Sequence, residues 1–223
     1  MNVTAFYGSI CDCSCTSHDC PGTFKSPSTG SPPRGFYTKA KPGFVDLLAV
    51  CKNPGHTLPD EKQLYRGLNG FEIASAHMEY AEETFRREHD INAQARRSTR
   101  FHKNLVRYLS YFLDVPEENV FERAVYTNLV KCSTPDERAR LDPRAMSKCF
   151  ESHFARELDF FKPRVLLACG REVERFLNSE KTRCVHRLPV IYVKHPSYYY
   201  RRENEQPILE KIRADVQQHL RST

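Results

Sequence analysis

The sequence predicts an α/β protein, a three-layer α/β/α sandwich around a short, largely parallel central sheet. From Val45 onward, short β-rich apolar runs alternate with segments of helical periodicity. That alternation is what crossover helices packed on a parallel sheet require. Two of the runs then break into polar, proline-containing loops. Val45-Asp46-Leu47-Leu48-Ala49-Val50 leads into Cys51-Lys52-Asn53-Pro54-Gly55-His56, and Leu188-Pro189-Val190-Ile191-Tyr192-Val193 leads into Lys194-His195-Pro196-Ser197-Tyr198-Tyr199-Tyr200-Arg201. Ligands of open α/β sheets bind outside the carboxyl ends of the strands. Asn53 and His195 are therefore expected to face one crevice.

Taken in order, residues 1–44 hold five of the 14 prolines among Ser, Gly and Thr. They are expected to be loops, an extension packed on a core domain at 45–223. Phe71 to Glu88 reads as a helix with Ile73, Met78, Ala81 and Phe85 toward one face. Ser98 to Leu113 reads as a second, with Phe101, Leu105, Tyr108, Leu109 and Phe112 at helical spacing. Ala124 to Val130 is a strand. Asp142 caps a helix with Pro143 at its first position, and Met146, Cys149, Phe150, Phe154, Leu158 and Phe161 supply its apolar stripe. Arg164 to Cys169 is a strand, Gly170 its turn, and Glu172 to Leu177 a short helix. After the Leu188–Val193 strand, Pro207 is expected to open a last helix carrying Ile208, Ile212, Val216 and Leu220.

A chain of 223 residues suits one such domain plus the extension. No apolar run approaches the ~18–20 residues that span a bilayer, and the first ten residues lack a signal pattern. A soluble, cytoplasmic monomer is the expectation. The net charge of +6 is unevenly placed: Arg96, Arg97, Arg100, Lys103 and Arg107 fall in one stretch with His102 and without an acid. One sign of charge interleaved with Phe101 and Tyr108 suits a phosphate backbone. The nine cysteines, an odd number, argue against a disulfide framework. Cys11, Cys13, Cys15 and Cys20 crowd together, and Cys132 and Cys149 form a distant second group. That grouping suits a soft metal site built from two segments. Cys51, Cys169 and Cys184 read as core residues or bystanders.

Six stretches in this order resemble the uracil-DNA glycosylase superfamily, most closely its iron–sulfur branch, family 4. The family's Gly-Glu-X-Pro-Gly is matched by Cys51-Lys52-Asn53-Pro54-Gly55. Its Phe, with Gly two and five positions on, is matched by Tyr65, Gly67 and Gly70. Its Thr-Asn-Val-Val-Lys-Cys is matched by Thr127-Asn128-Leu129-Val130-Lys131-Cys132, and its next Cys by Cys149. The strand Pro163-Arg164-Val165-Leu166-Leu167-Ala168-Cys169-Gly170 and the closing His195-Pro196-Ser197-Tyr198-Tyr199-Tyr200-Arg201 complete the set. Two departures stand out: Cys51 and Lys52 replace the family's Gly and Glu, and the N-terminal cysteines lack the family's Cys-X-X-Cys spacing.

The resemblance implies a DNA glycosylase that flips uracil out of DNA and hydrolyses its N-glycosidic bond. His195 would donate to the departing base and Asn53 would orient the attacking water. Asn128 would read uracil, accepting from N3–H and donating to O4. Tyr65 would stack on the base, and Gly55 would lie at the base where the best-known uracil enzymes place a Tyr, which leaves open what excludes thymine's methyl. Ser197, Tyr198, Tyr199 and Arg201, with Arg97 and Arg100, would meet the DNA. Cys15 and Cys20, with Cys11 and Cys13 in reserve, would join Cys132 and Cys149 around a [4Fe–4S] cluster or Zn²⁺. DNA carrying uracil or another deaminated base is the implied partner. Glycosylases for hypoxanthine or xanthine, and a catalytically silent iron–sulfur DNA-binding protein, stay open as alternatives.

Overall fold

The computed structural model describes residues 1–12, 33–54, 63–87, 100–132, 143–198, 200 and 202–221. Five strands form one sheet: β1 (Phe36–Tyr37), β2 (Val45–Cys51), β3 (Ala124–Asn128), β4 (Pro163–Cys169) and β5 (Val190–Val193), in the order β1-β3-β2-β4-β5. β1 runs antiparallel to β3, and every other pairing is parallel. The register sets Cys51 opposite Asn128 and Cys169 opposite Val193, so the carboxyl ends of β2 to β5 share one rim.

Alternation along the strands divides the core into two halves. Leu48, Val50, Val125, Leu166 and Ala168 pack on one face, against helices α1 (Val3–Cys11) and α2 (Gly70–Arg87). Leu47, Ala49, Tyr126, Val165 and Leu167 pack on the other, against α3 (Arg100–Leu113). A 3₁₀ turn at Glu117–Asn119 and the short α4 (Val120–Arg123) lead into β3. The first face is completed by α5 (Pro143–Cys149), a π-helical turn at Phe150–Phe154 and α6 (Ala155–Phe161). α7 (Arg171–Leu177) and α8 (Glu180–Arg183) follow β4, and α9 (Arg202–Arg221) closes the second face with Leu209, Ile212 and Val216. The three-layer α/β/α arrangement expected from the alternation is present.

Three local expectations are corrected. Residues 1–44 are not all loops, because Val3–Cys11 is helical and Phe36–Tyr37 joins the sheet. Phe6, Tyr7 and Ile10 give that helix a buried face, which Tyr7 extends by stacking on Phe36 at 3.8 Å. β3 ends at Asn128, although Leu129 and Val130 still donate their N–H groups to the Cys51 and Lys52 carbonyls at 2.8 and 2.9 Å. The last helix begins at Arg202 rather than at Pro207. Glu203 and Glu205 favour its positive N-terminal end, and Glu205 is held by Arg107 at 2.5 Å.

Beneath the rim lies a buried ion pair. Lys131 Nζ donates to Glu157 Oε2 and to the Asn128 carbonyl, each at 2.5 Å, and to Thr127 Oγ1 at 2.6 Å. The Thr127 hydroxyl donates onward to Glu157 Oε1 at 2.7 Å. All three side chains are fully buried, and burial pushes the Lys131 ammonium below its usual range against the opposing pull of Glu157. Removing one partner leaves an uncompensated charge, whereas removing both does not. Lys131→Met is expected to cost about 3–5 kcal/mol in urea denaturation, and Lys131→Met/Glu157→Leu to recover most of it. A single variant as stable as the parent would contradict the pair's role.

Candidate functional site

The rim gathers the polar residues the sequence singled out. Asn128 is the last residue of β3, Asn53 lies two residues beyond β2, and His195 two beyond β5. Between them Gly170 turns β4 into α7 with φ 110°, and its N–H donates to the Val193 carbonyl at 2.9 Å. Asn53 is half-buried.

The Asn128 carboxamide is completely buried and held in one orientation. Its Nδ2 donates to the Gly35 carbonyl at 2.9 Å and to the Tyr126 hydroxyl at 3.1 Å. Turning the amide over would set oxygen against the Gly35 oxygen, so the hydrogen-bond pattern fixes which end is nitrogen. Oδ1 has no hydrogen-bond partner among the described residues. Gly35 has φ +79°, and a Cβ there would lie 2.0 Å from Asn128 Nδ2, so only glycine permits this approach.

Gly35 is itself held from behind. Its N–H donates to His77 Nε2 at 3.1 Å, with the Phe36 N–H at 3.4 Å. Burial pushes the His77 imidazole down to about 3, with the Arg34 charge adding to the effect. The ring is therefore neutral, carries its hydrogen on Nδ1, and donates it to the Tyr65 hydroxyl 2.8 Å away. Tyr65 is buried at the end of this relay.

His195 has an equally defined tautomer. Its Nδ1 accepts from the Ser197 N–H at 3.3 Å, which leaves the ring hydrogen on Nε2. Burial lowers its pKa, favouring the neutral form. Helix α3 supports the loop from beneath: Asn104 Nδ2 donates to the Pro196 carbonyl at 2.7 Å. The Phe101 ring lies 5.5 Å from the His195 ring and 5.4 Å from that of Tyr126, joining the two ends of the crevice.

Tyr198 and Tyr200, both after the histidine, are placed differently. Tyr198 projects into solvent, 62% exposed, with its N–H turned back onto the His195 carbonyl at 2.9 Å. Tyr200 is half-buried. Its hydroxyl accepts from the Lys194 N–H at 2.7 Å, and burial pushes its pKa up to about 12. Arg100 and Lys103 are exposed on α3, while Arg107 is committed to the ion pair with Glu205 that ties α3 to α9. Lys52 pairs with Glu172 at 2.7 Å, joining the loop after β2 to the first turn of α7.

Gly55, Arg97, Tyr199, Arg201, Cys15 and Cys20 lie outside the described residues. Cys132 and Cys149 are buried, as is Cys11 at the end of α1. Cys149 and Cys11 both lie near enough to Lys131 to act on its charge. Among the described residues, no group of three or more His, Cys, Asp or Glu side chains is gathered to hold a metal. Gly35, His77, Phe101, Asn104 and Tyr126 are site components the sequence reading did not single out for a role here. His77 and Asn104 carried a signal, since each is a polar residue on an otherwise apolar stripe: His77 follows Ile73 and precedes Ala81 by four residues.

The tautomer of His195 is directly measurable. Nitrogen NMR at neutral pH should show an unprotonated Nδ1 and a protonated Nε2, with a titration midpoint below the ordinary value of about 6.5. An imidazolium signal at pH 7 would contradict the assignment.

No helix among the described residues is long and apolar enough to cross a membrane. Among families of known proteins, the Uracil DNA glycosylase superfamily matches residues 45–217. A search of curated proteins finds no match.

Proposed function

The chain belongs to the uracil-DNA glycosylase superfamily, and from that premise we propose that it removes uracil from DNA by base flipping and direct hydrolysis. Membership supports a DNA glycosylase in general. The observation that carries the finer reading is the pairing of a neutral, Nε2-protonated His195 with the buried Oδ1 of Asn128, unpartnered among the described residues, on one rim.

Cleavage of the glycosidic bond leaves an oxocarbenium-like sugar and a base anion. His195 Nε2–H donates to the uracil O2 as charge develops there, and one such donor contributes about 2.7–4 kcal/mol. Asn53 orients the water that attacks the sugar. Asn128 Oδ1 accepts from N3–H, a hydrogen cytosine lacks, and mispairing in a buried site is strongly disfavoured. Tyr65 stacks on the flipped base. Tyr198, with Tyr199, wedges the duplex, while Ser197, Arg201, Arg97 and Arg100 meet phosphates. Lys52, where the family carries Glu, is paired with Glu172 at 2.7 Å, which supports direct hydrolysis by water over attack by its amine.

We also propose that Cys132 and Cys149, with two N-terminal cysteines, hold a [4Fe–4S] cluster. Cys15 and Cys20 are the first choice for that pair, but the burial of Cys11 near Lys131 brings it forward as well. The described thiols fit such a group in kind, being soft donors in a dry setting. When bound, the cluster cross-links the N-terminal segment to the domain. The protein should be brown with about four irons per chain, and Cys132→Ala should lose iron and thermal stability together. Stoichiometric zinc in a colourless, folded protein would overturn the iron assignment.

Release of free base from a uracil-containing oligonucleotide tests the activity. Asn128→Asp, whose second oxygen replaces the Nδ2 that donates to the Gly35 carbonyl and the Tyr126 hydroxyl, should lower uracil excision by about 10²-fold, the scale of one or two lost hydrogen bonds in a dry pocket. His195→Ala should lower the rate without changing the base chosen, because uracil and cytosine share O2. Full uracil activity in Asn128→Asp would overturn the pocket assignment. Release of hypoxanthine or xanthine alone, or binding without release, would replace the uracil reading.

A further inference from the structure

Asn128 cannot read a base edge alone as it is held here. A carboxamide nitrogen has two hydrogens, and both are in use, one on the Gly35 carbonyl at 2.9 Å and one on the Tyr126 hydroxyl at 3.1 Å. The residue has an acceptor to offer, Oδ1, and no donor. A base whose edge carries an N–H beside a carbonyl needs a donor next to that acceptor.

We infer that Tyr126 supplies it: the hydroxyl hydrogen of Tyr126 donates to O4 of the flipped base while Asn128 Oδ1 accepts from N3–H. A phenol oxygen accepting one hydrogen bond still has its own hydrogen to give, and accepting from the amide strengthens that donation. The hydroxyl accepts from Nδ2 of the same carboxamide whose Oδ1 has no partner among the described residues, so donor and acceptor are presented through one amide group. Tyr126 is buried, and burial holds its hydroxyl in the protonated form. Its ring is fixed by Phe101 at 5.4 Å and Phe85 at 6.1 Å, on the path between Asn128 and His195. Cytosine, with a bare N3 and an exocyclic amine, meets acceptor with donor at neither position.

The inference rests on the uracil reading of the preceding section, and its test separates the two. Tyr126→Phe keeps the ring and removes the hydrogen. Single-turnover excision is compared on uracil and 4-thiouracil in the same DNA, since sulfur at position 4 is a weak acceptor and N3–H is unchanged. The wild type should favour uracil, and Tyr126→Phe should lose about ten-fold on uracil but little on 4-thiouracil, so that the preference collapses. Equal losses on both bases would make Tyr126 a packing residue and overturn the inference while leaving the uracil reading standing. A wild type that releases neither base would overturn both.

Discussion

An ammonium group sealed from water must be answered by the protein, and Lys131 is answered from three directions at once. One of its bonds goes to the Asn128 carbonyl, so the residue at the end of β3 is anchored through its backbone from within the core. The same residue is anchored through its side chain by Gly35 and Tyr126. Glu157, the counterion, comes from α6 and lies one turn past the π-helical stretch that begins after Cys149. The rim of the sheet, the helix bearing one cysteine and the strand end preceding another are thus tied to a single buried charge. Burial also raises the neighbouring Tyr7 hydroxyl far above its usual range, with the Glu157 charge adding to it. Such a network is strong only while complete.

Two histidines serve the crevice without carrying charge. Desolvation depresses both His77 and His195, so each acts as a fixed donor–acceptor piece, one orienting a peptide and the other presenting a hydrogen. Below pH about 6.5 the unfolded chain takes up these protons before the folded chain does, so both residues withdraw stability as pH falls. For His77 that withdrawal continues down toward about pH 3. A site organised this way gains definition near neutrality and loses it in acid.

The strands and the long helices were legible because their signals are local: alternation, helical spacing and Gly or Pro at the ends. The rim position of Asn53, Asn128 and His195 was legible for a topological reason, since parallel strands deliver their carboxyl ends to one side. What stayed hidden depends on contacts across the chain. Gly35 is one of nine glycines, and its need for a bare α-carbon shows only once Asn128 approaches from 93 residues away. Helix α1 was obscured by the proline-rich stretch behind it. Pro207 suggested a helix start, but acidic residues upstream carry the first turns. Tyr200 follows two other tyrosines in the sequence, and nothing local marks that its hydroxyl caps the Lys194 N–H.

The docking of α1 separates the unit of ancestry from the unit of folding. Gly8 lets the helix lie against Phe71, where a Cβ would come within 3.0 Å of the backbone, and the Asp12 carboxylate accepts the Gly70 N–H at 2.7 Å, at the opening turn of α2. Farther along, β1 covers the outer edge of β3. A fragment trimmed to residues 45–217, the span shared with the superfamily, would strip the edge strand, bare the His77 ring that packs edge-on against Phe36 and leave Asn128 without the Gly35 carbonyl. An open edge of this kind invites pairing between molecules. For expression, crystallography or the grafting of this domain onto another protein, the boundary that sequence comparison marks is the wrong place to cut.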